Sequence, residues 1–271
     1  MIISNSIFNN NYYKSPAFTS IDFQEIWYTD SKGIQRYTHN DTARRDDLNY
    51  ANLAKTINKR FANCDNVNIM PMNVSDGTEA YFIFKYLAEE VGLDTFEKKY
   101  KRINATDVCE NVLEKYPKKG VVKLKEKEFD ELNINGDPMF EKTDGDLYAL
   151  RPKYKKYFNF KTQDFQERLK NLEDNGNSVV IIRNCLRHSF GNFGAAHIVR
   201  TVDKKLKGNS LFITGDFDRG LSEFEQELRE NFEEIDRNVW AKREEEPAYY
   251  RYQDALVAKI GKDKFEQTFK N

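Results

Sequence analysis

Glu79 follows a short apolar run and its polar turn, and Asp107 ends a second short strand, a position from which an acid reaches into the crevice of a β-α-β unit. The first run, from Asn66, breaks at Met72 into the small polar stretch Asn73-Val74-Ser75-Asp76-Gly77-Thr78. A helical pattern then carries Ile83, Tyr86 and Leu87 on one face. The second run, after Gly92, ends at Asp107 and leads into another helix. An acid at that point accepts hydrogen bonds from ribose hydroxyls, while the first turn lets a ligand approach the backbone closely. The turn has a single glycine where dinucleotide enzymes have G-x-G-x-x-G, and it lacks the Lys-Ser/Thr of a P-loop, which disfavours a pyrophosphate. A nucleoside cofactor without phosphates, such as S-adenosylmethionine, needs a ribose acceptor and a partner for its amino-acid part, and Asp107 and Glu79 supply these. The alternative is a solvated strand-helix turn with no ligand.

The elements that must position this turn read as alternating strands and helices. Leu48, Ala51, Ala54, Ile57 and Phe61 recur at helical spacing before the first strand, with Asp41 as the expected N-cap. Ser178 to Asn184 and Asn209 to Gly215 read as buried strands, with a helix from about Phe193 to Leu206 between them. Leu221 to Phe232 reads as a helix, followed by a terminal hairpin from Val239 to Gln253 and a last helix from about Asp254 to Phe269. The pattern changes between about residues 120 and 160, where Asn135-Gly136 and Asp144-Gly145 mark turns between short apolar runs. The expected fold is α/β, a doubly wound Rossmann-like sheet with a small antiparallel β insertion. Residues 1–65 form an N-terminal segment and helix packing on the core, and 66–271 the α/β domain with its insertion.

At 271 residues the chain can bury a sizeable core. Its 43 basic and 44 acidic residues leave no overall field to attract nucleic acid or an anionic membrane. Cys64, Cys109 and Cys185 are widely spaced and odd in number, which argues against a disulfide framework or a structural zinc. The N-terminus lacks the charge and apolar pattern of a signal peptide, and no apolar run reaches the length of a membrane span. The expectation is a cytoplasmic protein without membrane insertion, nucleic-acid partner or metal.

The order of these pieces resembles the CheR-type methyltransferases, which move a methyl group from S-adenosylmethionine to glutamate side chains of chemotaxis receptors. Asn73-Val74-Ser75-Asp76-Gly77-Thr78-Glu79-Ala80-Tyr81 parallels the family's G-C-S-x-G-E-E-P-Y, keeping Ser75, Gly77, Glu79 and Tyr81. Ala105-Thr106-Asp107 matches the A-T-D strand end without change, and Arg183-Asn184 matches the R-N of a later one. Asp164 and Phe165 fall where the family has an Asn and a Leu beside the adenine, and His188 where it has a tyrosine. Ser210-Leu211-Phe212-Ile213-Thr214-Gly215-Asp216 parallels the last strand, with Asp216 in place of a histidine. The opening T-x-F-F-R has a counterpart in Asn10 to Lys14, lysine standing for arginine and losing its bidentate fork. Only a few residues precede that motif, where the family has a helical domain.

The resemblance implies S-adenosylmethionine as cofactor, with Lys14, Asn73, Ser75, Gly77, Glu79, Asp107, Asp164, Phe165 and Asn184 around it. It implies a protein carboxylate as acceptor, with Arg183 orienting it and His188 lining that side. Simpler roles stand beside these. Asp107 suits a helix cap, Glu79 a first-turn acid, Arg183 a structural ion pair, and His188 and Lys14 solvated surface positions. The departures at Asn73, Thr78, Ala80, Asp164, His188 and Lys14 also fit a degenerate relative that keeps the fold as a binding module.

Overall fold

The computed structural model describes residues 25–29, 35–39, 48–220 and 222–243, with backbone alone at 25–29, 35–39 and 187–190. An antiparallel pair, Glu25–Thr29 with Gln35–His39, precedes the main body.

Seven strands make the central sheet: β1 (Asn68–Met72), β2 (Ile103–Asp107), β3 (Phe158–Thr162), β4 (Ser178–Ile182), β5 (Leu211–Ile213), β6 (Phe232–Asp236) and β7 (Val239–Lys242). Their spatial order is β3-β2-β1-β4-β5-β7-β6. The first five run parallel, and β7 lies antiparallel between β5 and β6. The order turns back at β1, whose neighbours are β2 on one side and β4 on the other. In a parallel sheet such a reversal opens a crevice at the carboxyl ends of the strands.

Side-chain alternation along these strands builds two cores. Ile69, Ile103, Ala105, Val179, Ile181, Leu211 and Ile213 face one side with α1 (Tyr50–Arg60), α2 (Thr78–Val91) and α3 (Leu93–Lys99). Met70, Met72, Val180, Ile182, Phe212 and Trp240 face the other. In chain order the remaining helices are α4 (Glu110–Lys115), α5 (Glu126–Glu131), α6 (Pro152–Lys155), α7 (Phe165–Lys170), α8 (Leu186–Lys205) and α9 (Ser222–Asn231). Of these, α7, α8 and α9 bury Phe165, Leu169, Val199, Val202, Phe224 and Leu228 against the second face. Ser178–Ile182 is buried at every position, and its apolar run Val179 to Ile182 suits the centre of a covered sheet.

The insertion between α4 and β3 is antiparallel, as expected. Val121–Lys123 and Phe140–Lys142 flank Leu147–Leu150, and Asn133–Ile134 pairs with Asp137–Pro138. Asn135 and Gly136 both have positive φ, 52° and 83°, as a two-residue hairpin turn requires. Leu132, Ile134, Phe140, Tyr148 and Leu150 join the core on the α2 side.

Three local expectations need correction. The N-cap of α1 is Asn49, whose side chain accepts from the Asn52 amide at 3.0 Å; Asp41 lies outside the described residues. Helix α8 starts at Leu186 and breaks at Gly191 (φ 61°, ψ −173°), so the periodicity from Phe193 captured only the part beyond the break. The late hairpin is β6-β7, so Val239 opens its second arm where a first arm was expected. Polar Glu233, Glu234 and Asp236 on the outermost strand concealed the first arm. The rest of that hairpin and the last helix lie outside the described residues.

Candidate active site at the carboxyl edge of the sheet

The β1-α2 turn is wound tightly, with Asn73, Ser75 and Gly77 all at positive φ (60°, 48° and 85°). Asn is among the few side chains that adopt this region readily, and glycine does so without strain. The Val74 amide donates to the Thr106 carbonyl at 3.2 Å and the Gly77 amide to the Val74 carbonyl at 2.9 Å, which ties the turn to β2 and closes it. Asp107 completes the tie. Its Oδ2 accepts from the Ser75 amide and its Oδ1 from the Cys109 amide, both at 2.8 Å. The carboxyl is buried, and burial pushes its pKa above the ordinary value against the opposing pull of those backbone donors. Gly77 is hemmed in as well as left-handed: a Cβ there would lie 2.9 Å from the Pro117 Cβ and 3.0 Å from the Phe160 ring. Two hydroxyls in the first turn of α2, Thr78 Oγ1 and the Tyr81 phenol, are buried with no partner among the described residues. Burial and the nearby Asp76 push the Tyr81 phenol upward.

The other wall comes from the end of β4. Arg183 forms an ion pair with Glu79 and donates from the same nitrogen to the Tyr50 hydroxyl at 3.0 Å. Both charged side chains are largely buried, Arg183 at 4% exposure and Glu79 at 12%. Asn73 Nδ2 donates to Cys185 Sγ at 3.1 Å, joining the turn to the start of α8. Asn184 has φ 58°, its amide donates to Asp218 Oδ2 at 2.7 Å, and its Oδ1 accepts from the Phe217 amide at 3.0 Å. Gly215 makes room for that side chain, since a Cβ at 215 would fall on the Asn184 amide group. Gly215→Ala is therefore expected to expel Asn184 from its seat and to cost about 2 kcal/mol. Denaturant unfolding checks this; stability within about 0.5 kcal/mol of the parent would refute it.

Of the remaining expected residues, Asp164 and Phe165 have other contacts, and Lys14 and the His188 side chain are not described. Asp164 caps α7, accepting from the Gln166 and Glu167 amides at 2.8 and 3.1 Å. Phe165 is buried in the second core with Leu169. His188 falls within α8 among the residues with backbone alone, and Lys14 lies outside the described residues. The structure thus brings together Asn73, Ser75, Gly77, Glu79, Asp107, Arg183 and Asn184. It adds Tyr50, Gly215, Asp218 and Arg168, which the sequence did not single out. Arg168 donates to Thr106 Oγ1 at 3.0 Å, and burial lowers its pKa to about 10. No motif marks Tyr50, Asp218 or Arg168, because their partners lie tens of residues away in the chain, and the last-strand match that contains Gly215 does not point to Asn184. Among the described residues no cluster suits a metal ion, and no helix is long and apolar enough to cross a membrane.

Comparison with solved structures returned distant matches. A WbdD structure with the kinase inhibitor LY294002 is 10% identical over 62% of this chain and 30% of that one, with a TM-score of 0.34. The precorrin-6y C5,15-methyltransferase of Geobacter metallireducens GS-15 is 8% identical over 72% and 80%, with a TM-score of 0.38. A putative methyltransferase from Thermoplasma acidophilum is 12% identical over 61% and 50%, with a TM-score of 0.29. The chain thus spans under a third of WbdD and half of the Thermoplasma protein. No curated protein matches. At the level of families the result is specific: residues 40–235 match the CheR methyltransferase SAM-binding domain, a span that contains the turn, both acids and the Arg-Asn strand end. On that match, which takes in most of its length, the chain belongs to the CheR methyltransferase family, with S-adenosylmethionine as its cofactor.

Proposed function

We propose that this protein transfers a methyl group from S-adenosylmethionine to a carboxylate side chain of a protein. The observation that carries the reading is the convergence of Glu79 and Arg183 where the β1-α2 turn meets the end of β4. One charge suits the cofactor's ammonium and the other an acceptor carboxylate. The turn has capacity left for a nucleoside. Asp107 accepts from the Ser75, Cys109 and Val108 backbone, and with about four lone-pair sites on an ionised carboxylate a ribose hydroxyl still has an acceptor to use. The unpartnered Thr78 hydroxyl beside the turn also favours a polar ligand there.

Bound at this edge, the cofactor supplies a methyl group already activated by its sulfonium. The protein's part is placement and desolvation. Asp107 holds the ribose, Glu79 the ammonium and Lys14 the carboxylate, while Asn73, Ser75 and Gly77 let the ligand lie close to the backbone. Asn184 bounds the rest of the cofactor pocket. Arg183 orients the acceptor carboxylate and His188 lines its approach. An acceptor glutamate, with an ordinary pKa near 4.3, is ionised at neutral pH and needs no strong base.

A second reading keeps the fold as a binding module without catalysis. It is favoured by Asp164, whose carboxylate is committed to capping α7 where the family has an Asn beside the adenine. Calorimetry with S-adenosylmethionine and S-adenosylhomocysteine separates the two readings from the start, and no binding at millimolar ligand sinks the enzyme. If ligand binds, labelled-methyl transfer into a cell lysate is expected to give base-labile counts. Base-stable counts refute a carboxylate acceptor, and no counts at all favour the binding module.

A further inference from the structure

Among the partners of Arg183 are an acid and a phenol, and cofactor binding on the reading above would claim the acid. The acid is Glu79 and the phenol is Tyr50. Tyr50 is the first residue of α1, and its ring stacks on Phe82 at 5.5 Å and on Tyr86 at 6.2 Å, so the phenol is held firmly by α2. The Arg183 guanidinium carbon also lies 5.7 Å from the centre of that ring, within cation-π range. A ligand ammonium entering at Glu79 must displace a guanidinium that is itself largely buried, and a buried guanidinium cast loose is costly. Tyr50 offers a partner that stays in place during that exchange.

We propose that Tyr50 is a positioning residue, holding Arg183 by its hydroxyl and ring while Glu79 passes from Arg183 to the ammonium of S-adenosylmethionine, so that cofactor must bind before the carboxylate acceptor. The inference rests on the proposed cofactor site. Before the exchange, the guanidinium is neutralised by Glu79 and has little attraction for a second carboxylate. Afterwards its donors freed from Glu79 turn to the acceptor, and the hydroxyl of Tyr50 fixes their direction. No bond is made or broken in this step; one cation replaces another on a carboxylate.

The test compares two probes by calorimetry, S-adenosylhomocysteine and 5′-methylthioadenosine, which shares the nucleoside and thioether but has no ammonium or carboxylate. In Arg183→Met the guanidinium no longer competes for Glu79, and Glu79 is left buried without it, so S-adenosylhomocysteine is expected to bind at least ~3-fold more tightly. In Tyr50→Phe, Arg183 depends more heavily on Glu79, and the same ligand is expected to bind ~3-fold more weakly. Affinity for 5′-methylthioadenosine should be unchanged in both variants. Weaker binding of S-adenosylhomocysteine by Arg183→Met, or equal changes for the two probes, overturns the exchange. Should Arg183→Met not fold, Tyr50→Phe decides: a loss confined to S-adenosylhomocysteine supports the proposal, and no loss or a shared loss overturns it. The parent protein separates this failure from that of the site. Binding of neither probe removes the cofactor site and the exchange with it, whereas binding of both with wrong-signed variants removes the exchange alone.

Discussion

Asp107→Ala is expected to weaken S-adenosylhomocysteine binding by ~100-fold and to destabilise the fold by about 3 kcal/mol. The stability loss comes from the Ser75 and Cys109 amides, buried donors that lose their acceptor together. The affinity loss comes from the ribose contacts and from the turn, which Asp107 holds against β2. Asp107→Asn separates charge from shape. It removes a buried charge, yet its amide nitrogen must face one of two N–H donors, so it too should be less stable than the parent at neutral pH. The pH dependence carries a sign. Burial raises the carboxyl's pKa in the folded state, so the native protein binds that proton more tightly than the unfolded chain does. The group's contribution to stability is therefore greatest below the ordinary carboxylate value and falls as pH rises through the folded one. The parent's advantage over Asp107→Asn should shrink between pH 4 and 7 in denaturant titrations. An advantage that widens over that range, or an Asp107→Ala variant that binds ligand as the parent does, would falsify this placement.

Gly77→Val is expected to be the most damaging single change in the turn. A β-branched residue at φ 85° is strained in itself, and its Cβ would meet Pro117 and Phe160 at about 3 Å. Neither neighbour yields easily. Phe160 stacks on Phe158 with ring centres 6.0 Å apart and meets Tyr81 edge-on at 5.8 Å, and Pro117 is buried at the head of a short 3-10 turn. A cost of about 3 kcal/mol or more follows, which for a chain of this size lowers the melting temperature by ~10 °C. Because the strain falls on the segment that approaches the cofactor, S-adenosylhomocysteine affinity should drop by more than ~10-fold even at temperatures where the variant is fully folded. A variant that melts with the parent would show that the turn relaxes in a way its neighbours do not suggest.

Much of this architecture was legible in the sequence. The runs ending at Met72 and Ile182 are largely apolar and bounded by turn residues, and a parallel sheet buried on both faces leaves that pattern directly. Ser75, Gly77 and Asp107 were legible because a turn and a strand end are local features. The support around them was not. Tyr50 meets Arg183 across 133 positions, and Asn184 meets Asp218 across 34, so no short motif contains either pair. Gly215 reads as an ordinary strand end until the Asn184 side chain is seen to fill its missing Cβ. Asp164 shows the opposite difficulty: a position suggested by resemblance as an adenine contact is also an excellent N-cap, and the two roles share one carboxylate.

The placement of β7 between β5 and β6 bears on how the molecule is made. Strand β5 is only three residues long and entirely buried, and its free side is covered by residues 239–241, far along the chain. During synthesis the ribosome therefore releases the parallel strands with a bare apolar edge at β5, and that edge stays open until the β6-β7 hairpin emerges and docks. An unpaired edge of this kind is a template for another chain. A product truncated before Phe232 would thus be prone to aggregate, because the hairpin it lacks is what covers β5.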